Sequence, residues 1–154
     1  MAVDFSLSNS FFIHKSKKYE DIYDVVVNKK HIFKMSELFT LCASLGFKHS
    51  NFVQFASKGT EMRSEHFKEN NLTALYSIMI NSPLIKADLD NFSDYDFLKN
   101  SFKTLEKYAE GGMDILCKKV FEKNWDGNKL DADYEYYDVD LLRFIYEDYK
   151  EGSF

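Results

Sequence analysis

The sequence predicts a single, mainly α domain of five to seven helices, with a short β-hairpin or an N-terminal strand beside them. Three observations lead there. Apolar residues recur at helical spacing in most of the 154-residue chain. The only proline is Pro83 and there are 6 glycines, too few punctuators for a loop-rich or collagen-like protein. Apolar residues make up 45% of the chain, with 15 Phe and 10 Tyr, which is enough to build a core and excludes a disordered chain. No internal repeat or linker divides residues 1–154.

The N-terminal "DFSLSNSFFIH" alternates poorly, so residues 1–17 read as an extended arm or a short strand. In "SKKYEDIYDVVVNKK", Tyr19, Ile22, Tyr23 and Val26 fall at helical spacing, against a β-branched run at Val25–Val27. "KMSELFTLCASLGF" predicts a short buried helix capped by Ser36, with Leu38, Leu41, Cys42 and Leu45 as its stripe. Gly46 stands where a left-handed residue ends a helix, and Phe47 folds back on the last turn. "KHSNFVQFASKGTEM" reads as loop with room for a short hairpin, and Ser57–Thr60 as a turn.

"NLTALYSIMINSP" is apolar over most of its circumference, so it predicts a central helix from Leu72 to about Ile80, stopped by Asn81, Ser82 and Pro83. The strongest helix is "NFSDYDFLKNSFKTLEKYAEGG". Ser93 is its expected cap, Asp94 and Asp96 suit its first turn, and Phe92 and Phe97 suit a staple. Leu98, Phe102, Leu105 and Ala109 form its inner stripe. Gly111 then fits a left-handed helix end and Gly112 a sharp exit, before a second helix restarts with Met113, Leu116, Cys117, Val120 and Phe121 on one face. No strand precedes the double glycine and no Lys-Ser/Thr pair follows it, so it is not a phosphate loop. Residues 126–137 are an acidic, Tyr-rich loop. Asp138 caps a last helix, with Leu142, Ile145 and Tyr149 expected inward.

The charge is uneven. The chain carries −5, while residues 126–154 hold nine acidic residues against Lys129, Arg143 and Lys150. Eighteen of the 20 basic residues are lysines, a poor set for base-specific reading by arginine forks. Lys15, Lys17 and Lys18 are the patch that would touch a nucleic-acid backbone, or else a solvated face.

Chemistry-bearing groups are thin. His14, His31, His49 and His66 lie in four separate segments, none with a second His or Cys at metal-ligand spacing. Cys42 and Cys117 read as buried thiols. Asp88 and Asp90, Asp131 and Asp133, and Asp138 and Asp140 are carboxylate pairs of the kind that can hold Mg²⁺, but without the spacing of a calcium loop. No catalytic residue, metal or cofactor is implied. There is no secretory leader and no apolar run of membrane-spanning length, so a reduced cytoplasmic protein is expected. The best interaction surface is "DYEYYDVD", where Tyr134, Tyr136, Tyr137 and Asp138 join contact area to charge that attracts a basic partner. The competing reading has these tyrosines packed on their own core.

Three segments carry a family resemblance. "LEKYAEGGMDILCKKVF", "HIFKMSELFTLCASLGFKHS" and, between them, "MRSEHF" with "NLTALYSIMI" resemble the DNA sulfur-modification (dnd) system-associated protein 4 family over roughly residues 25–122. The matching motif residues are Leu45, Gly46, Phe47, Tyr108, Gly111 and Gly112. Lys48 and His49 stand where the family is often Arg-rich, and the acidic extension after Trp125 departs from it. The resemblance implies a non-catalytic accessory subunit in a bacterial phage-defence or DNA-modification complex. Its expected partner is a larger ATPase, SMC-like or helicase-like, or a nuclease subunit, with DNA contacted indirectly. The alternatives are a small DNA-binding module using the N-terminal lysines and a small metal-dependent nuclease using the C-terminal aspartates.

Overall fold

The longest element is a 22-residue helix, Tyr95–Leu116. The computed structural model describes residues 10–55 and 57–151. Residues 1–9, most of the expected N-terminal arm, lie outside them. In order come β1 (Phe12–Ser16), α1 (Glu20–Tyr23) running on through π-type turns to Lys29, α2 (Met35–Lys48), β2 (Lys58–Arg63), α3 (Glu69–Asn81), α4 (Tyr95–Leu116) with a π-type extension to Phe121, and α5 (Tyr137–Glu151). Together they form one mainly helical domain with a two-stranded ribbon.

The ribbon pairs distant segments. β1 and β2 run antiparallel, with Phe12 opposite Arg63, Ile13 opposite Met62 and His14 opposite Glu61, and an irregularity follows at His14–Ser16. The expected turn at Ser57–Thr60 is therefore largely strand. Its only buried side chain is Met62, so it lacks the apolar alternation that marks a strand in sequence.

α4 begins one residue later than Ser93 suggests. Asp94 is the cap, accepting hydrogen bonds from the backbone N–H of Asp96 and Phe97 at 3.0 and 3.3 Å. Leu98, Phe102, Leu105 and Ala109 are buried as their spacing predicts. α2 likewise starts before Ser36. Ser36 is buried, and its hydroxyl accepts from Asn71 Nδ2 of α3 at 3.3 Å, while the Glu37 carboxylate takes the Lys34 N–H at 2.8 Å. Edge-to-face ring contacts run from Phe39 through Phe67 and Phe102 to Phe11.

The glycines correct the sequence reading most. α4 does not break at Gly111–Gly112, and α2 continues past Gly46 to Lys48; the left-handed residue after α2 is Ser50. These glycines lie where α2, its following loop and α4 touch through their backbones. A Cβ on Gly112 would sit 1.7 Å from the Cys42 carbonyl oxygen, one on Gly111 1.9 Å from that of Asn51, and one on Gly46 1.9 Å from that of Tyr108. What is used is the missing side chain, not the freedom to adopt positive φ. The loop after α2 is sewn to α4 by Asn51 Nδ2 donating to the Gly111 carbonyl at 2.8 Å and the Val53 N–H donating to that of Lys107 at 3.1 Å.

Candidate functional site

The six motif residues meet at this crossing. Phe47 does not fold back on its own helix; its ring packs edge-on against Tyr108 of α4, and Phe52 packs there too. The Tyr108 hydroxyl shares a 2.7 Å hydrogen bond with Ser82. Leu45 is buried beside Gly46. All six serve the interior, so this constellation builds the body of the protein.

The buried ionisable groups serve it too. Burial pushes the Cys42 thiol up to about 12, so at neutral pH it is a protonated core group. Cys117 is also buried and free. Tyr19 donates to the Asp114 carboxylate, and Lys15 is only 4% exposed, donating to the Thr60 carbonyl at 3.0 Å. Of the expected N-terminal basic patch, then, only Lys17 and Lys18 face solvent. Burial raises Glu110 to about 7, with the nearby Asp114 carboxylate pushing the same way. A carboxyl whose folded value lies above its unfolded one costs stability as pH rises through that window. Glu110→Gln is therefore expected to stabilise the fold at pH 8, on the order of 1 kcal/mol after solvent screening, and to change little at pH 4. Thermal melts at pH 4, 6 and 8 check this; an offset equal at all three contradicts it.

The acidic Tyr-rich segment divides into a packed half and a presented half. Tyr137 is 1% exposed, its ring against Phe121 and its hydroxyl donating to the Asp131 carbonyl at 2.6 Å. Tyr134 is half-buried, its ring tilted against that of Tyr137 with centroids 4.7 Å apart, and it donates to the Asp140 carboxylate at 2.6 Å. These two follow the core-packing alternative. Tyr136 and Asp138 remain exposed. The loop before them is held by carboxylates: Asp126 accepts from the N–H groups of Asn128 and Lys129, and Asp21 from that of Leu130.

α5 is turned the other way from the expectation. Tyr137, Leu141 and Asp148 face inward, with Phe144 half-buried between them. Leu142 and Tyr149, expected inside, are 69% and 74% exposed. The reason is an ion pair that no local pattern reveals. Asp148 is buried and accepts hydrogen bonds from Lys48 Nζ at 2.8 Å and His49 Nε2 at 2.6 Å, both at the end of α2. That orientation lines up Val139, Leu142, Tyr146 and Tyr149 along the solvent face, at i, i+3, i+7 and i+10. The spacing was present in the sequence, but competed with an equally periodic inner stripe. Tyr136 adds a fifth exposed apolar surface at the helix start. A contiguous apolar stripe on an otherwise charged helix is the form that partner-binding faces take.

Other aspartates have local duties. Asp88 and Asp94 lie at helix starts, and Asp131 accepts from the Asp133 N–H. Among the described residues no group of three or more His, Cys, Asp or Glu side chains stands close enough to hold a metal ion. Nor is any described helix long and apolar enough to cross a membrane. No family model, curated protein or solved structure matches the chain.

Proposed function

We propose that this chain is a non-catalytic adaptor subunit that docks the outer face of α5 onto a larger protein. The observation that carries the reading is the exposed stripe Val139, Leu142, Tyr146 and Tyr149, set in the chain's most acidic segment. Tyrosines give such a face rigid contact area with polar tips, and the surrounding carboxylates select a partner whose rim is basic. The motif resemblance supplies the setting: a bacterial phage-defence or DNA-modification complex whose larger ATPase, SMC-like or helicase-like, or nuclease subunit is the occupant. Nucleic-acid-handling subunits of that kind carry basic surfaces, which match the charge on α5.

The test is co-expression with candidate ATPase and nuclease subunits of such complexes, followed by affinity measurement on any pair that co-purifies. Leu142→Asp combined with Tyr149→Ser is expected to weaken the complex about 30-fold or more, about 2 kcal/mol, because central aromatic and aliphatic anchors dominate such interfaces. Both side chains are exposed, so the fold should survive. Unchanged affinity would remove α5 from the interface. A concentration-dependent dimer through α5, seen by sedimentation, would replace the adaptor reading with self-association.

A further inference from the structure

A groove of about 570 Å³ lies between the β1–β2 ribbon and the first half of α4. It shares no residue with α5. Its cationic lining is Lys58, Arg63, Lys99, Lys103 and Lys107. The three α4 lysines recur every four residues, so they climb one wall in steps of about 6 Å. Lys99 and Lys103 are exposed, and among the described residues neither forms an ion pair. Lys107 lies over the Phe52 ring, while Arg63 pairs with Glu65 at 2.9 Å and lies over the ring of Phe12.

Two carboxylates face the groove, and both are engaged by His14. Glu106 is buried and accepts the His14 backbone N–H at 2.8 Å, and Glu61 lies 3.6 Å from His14 Nε2. With Arg63 paired to Glu65, the five cations still outnumber the carboxylates Glu61, Glu65 and Glu106, which leaves the groove positive in a chain of net charge −5. Aromatic surface faces the same space: Phe12 is 55% exposed, and Tyr95 and Phe55 are half-buried. Phe12 and Arg63 are cross-strand partners, so the register of the ribbon sets the ring and the guanidinium together.

We infer that this groove binds single-stranded nucleic acid without sequence preference, with phosphates along Lys99, Lys103 and Lys107 and bases stacked on Phe12 and Tyr95. A row of lysines beside exposed rings is how single strands are held, since every base has a face to stack and every phosphate a charge. Lysine, a point charge lacking the planar fork of arginine, suits backbone contact over base reading. The rings line the groove beside the lysines, and stacking on them needs bases freed from pairing. The chain's overall negative charge opposes broad adhesion to duplex DNA.

The experiment is fluorescence anisotropy of a labelled oligothymidylate, about 12 nucleotides long, titrated with the full chain from 50 to 200 mM salt. Binding is expected, with log affinity falling against log salt at a slope near −2, as three phosphate contacts to a single strand require. Lys99→Glu/Lys103→Glu/Lys107→Glu should lower affinity at least tenfold, whereas Lys29→Glu/Lys30→Glu/Lys34→Glu, the same charge change elsewhere, should not. Phe12→Ala should lower affinity about fivefold or more through lost stacking. Circular dichroism melts confirm that each variant folds. No binding at 50 mM salt, equal loss in both lysine triples, or tighter binding of duplex would overturn the inference. So would binding no tighter than that of inorganic phosphate or polyglutamate.

Discussion

Gly112→Ala is expected to lower the melting temperature by about 6 °C or more. Inside an exposed helix the same change would stabilise by about 1 kcal/mol, because Ala is the better helix former. Here the new methyl would meet the carbonyl oxygen, carbonyl carbon and Cα of Cys42, at 1.7, 2.5 and 2.8 Å. These are backbone atoms of α2, which have no rotamer to change, so α2 and α4 must move apart. Overpacking that displaces backbone costs about 3 kcal/mol or more. In a domain of this size each kcal/mol is worth about 2–4 °C. Gly111→Ala and Gly46→Ala should behave alike, against the Asn51 and Tyr108 carbonyls. Thermal unfolding of the three variants checks this, and a rise in melting temperature would contradict the backbone contact.

Asp148→Ala should release α5. Its carboxylate holds Lys48 and His49, and Lys48 also donates to the Asp148 carbonyl. Truncation removes the carboxylate acceptor of His49 and leaves Lys48 only the backbone carbonyl, at a cost of about 1 kcal/mol for two part-exposed donors. Burial pushes the Asp148 carboxyl up, but the hydrogen bonds and charges of Lys48 and His49 outweigh it and hold the group below its ordinary 3.8. A folded value below the unfolded one means that this stability is present above that value and is lost as pH falls through the folded one. The wild-type advantage over Asp148→Ala should therefore be full at pH 7 and shrink below about pH 4. Amide exchange would show faster opening of Tyr137–Glu151 than of α4. Uniform loss across all helices would contradict a local anchor.

Helices whose pattern admits one reading were legible in the sequence. The inner stripe of α4 is apolar at a single spacing and sits where that spacing predicts; α3 forms where its apolar run lies, but it is not buried all round as that run suggests, since Thr73, Ser77 and Ile80 face solvent. Three features were not legible, each because a distant segment decides it. A glycine pair between helical stretches marks either a left-handed exit or a close approach, and only the position of Cys42 and Asn51 distinguishes them. α5 carries two apolar stripes, and the choice falls to Asp148 because Lys48 lies 100 positions away in the chain. β2 is polar and earns its place only by pairing with β1. The candidate surfaces inherit these limits. Tyr136 and Asp138 are exposed, Tyr134 is half-buried, Tyr137 belongs to the interior, and the stripe on α5 follows from the helix's rotation. The lysine row on α4 has visible spacing, but Phe12 joins it only through the ribbon.

The crossing of α2 and α4 also dictates the order in which the molecule can assemble. Gly46 meets the backbone of Tyr108, and β2 and α3 both lie in the chain between those two points. The tightest join thus encloses a long excursion, whose ends must be brought together before it repays anything. Formation of this all-in-one body is governed by non-local pairing more than by the speed of its individual helices, unlike a bundle of successive hairpins. A nascent chain has nothing to close that seam until α4 has been made.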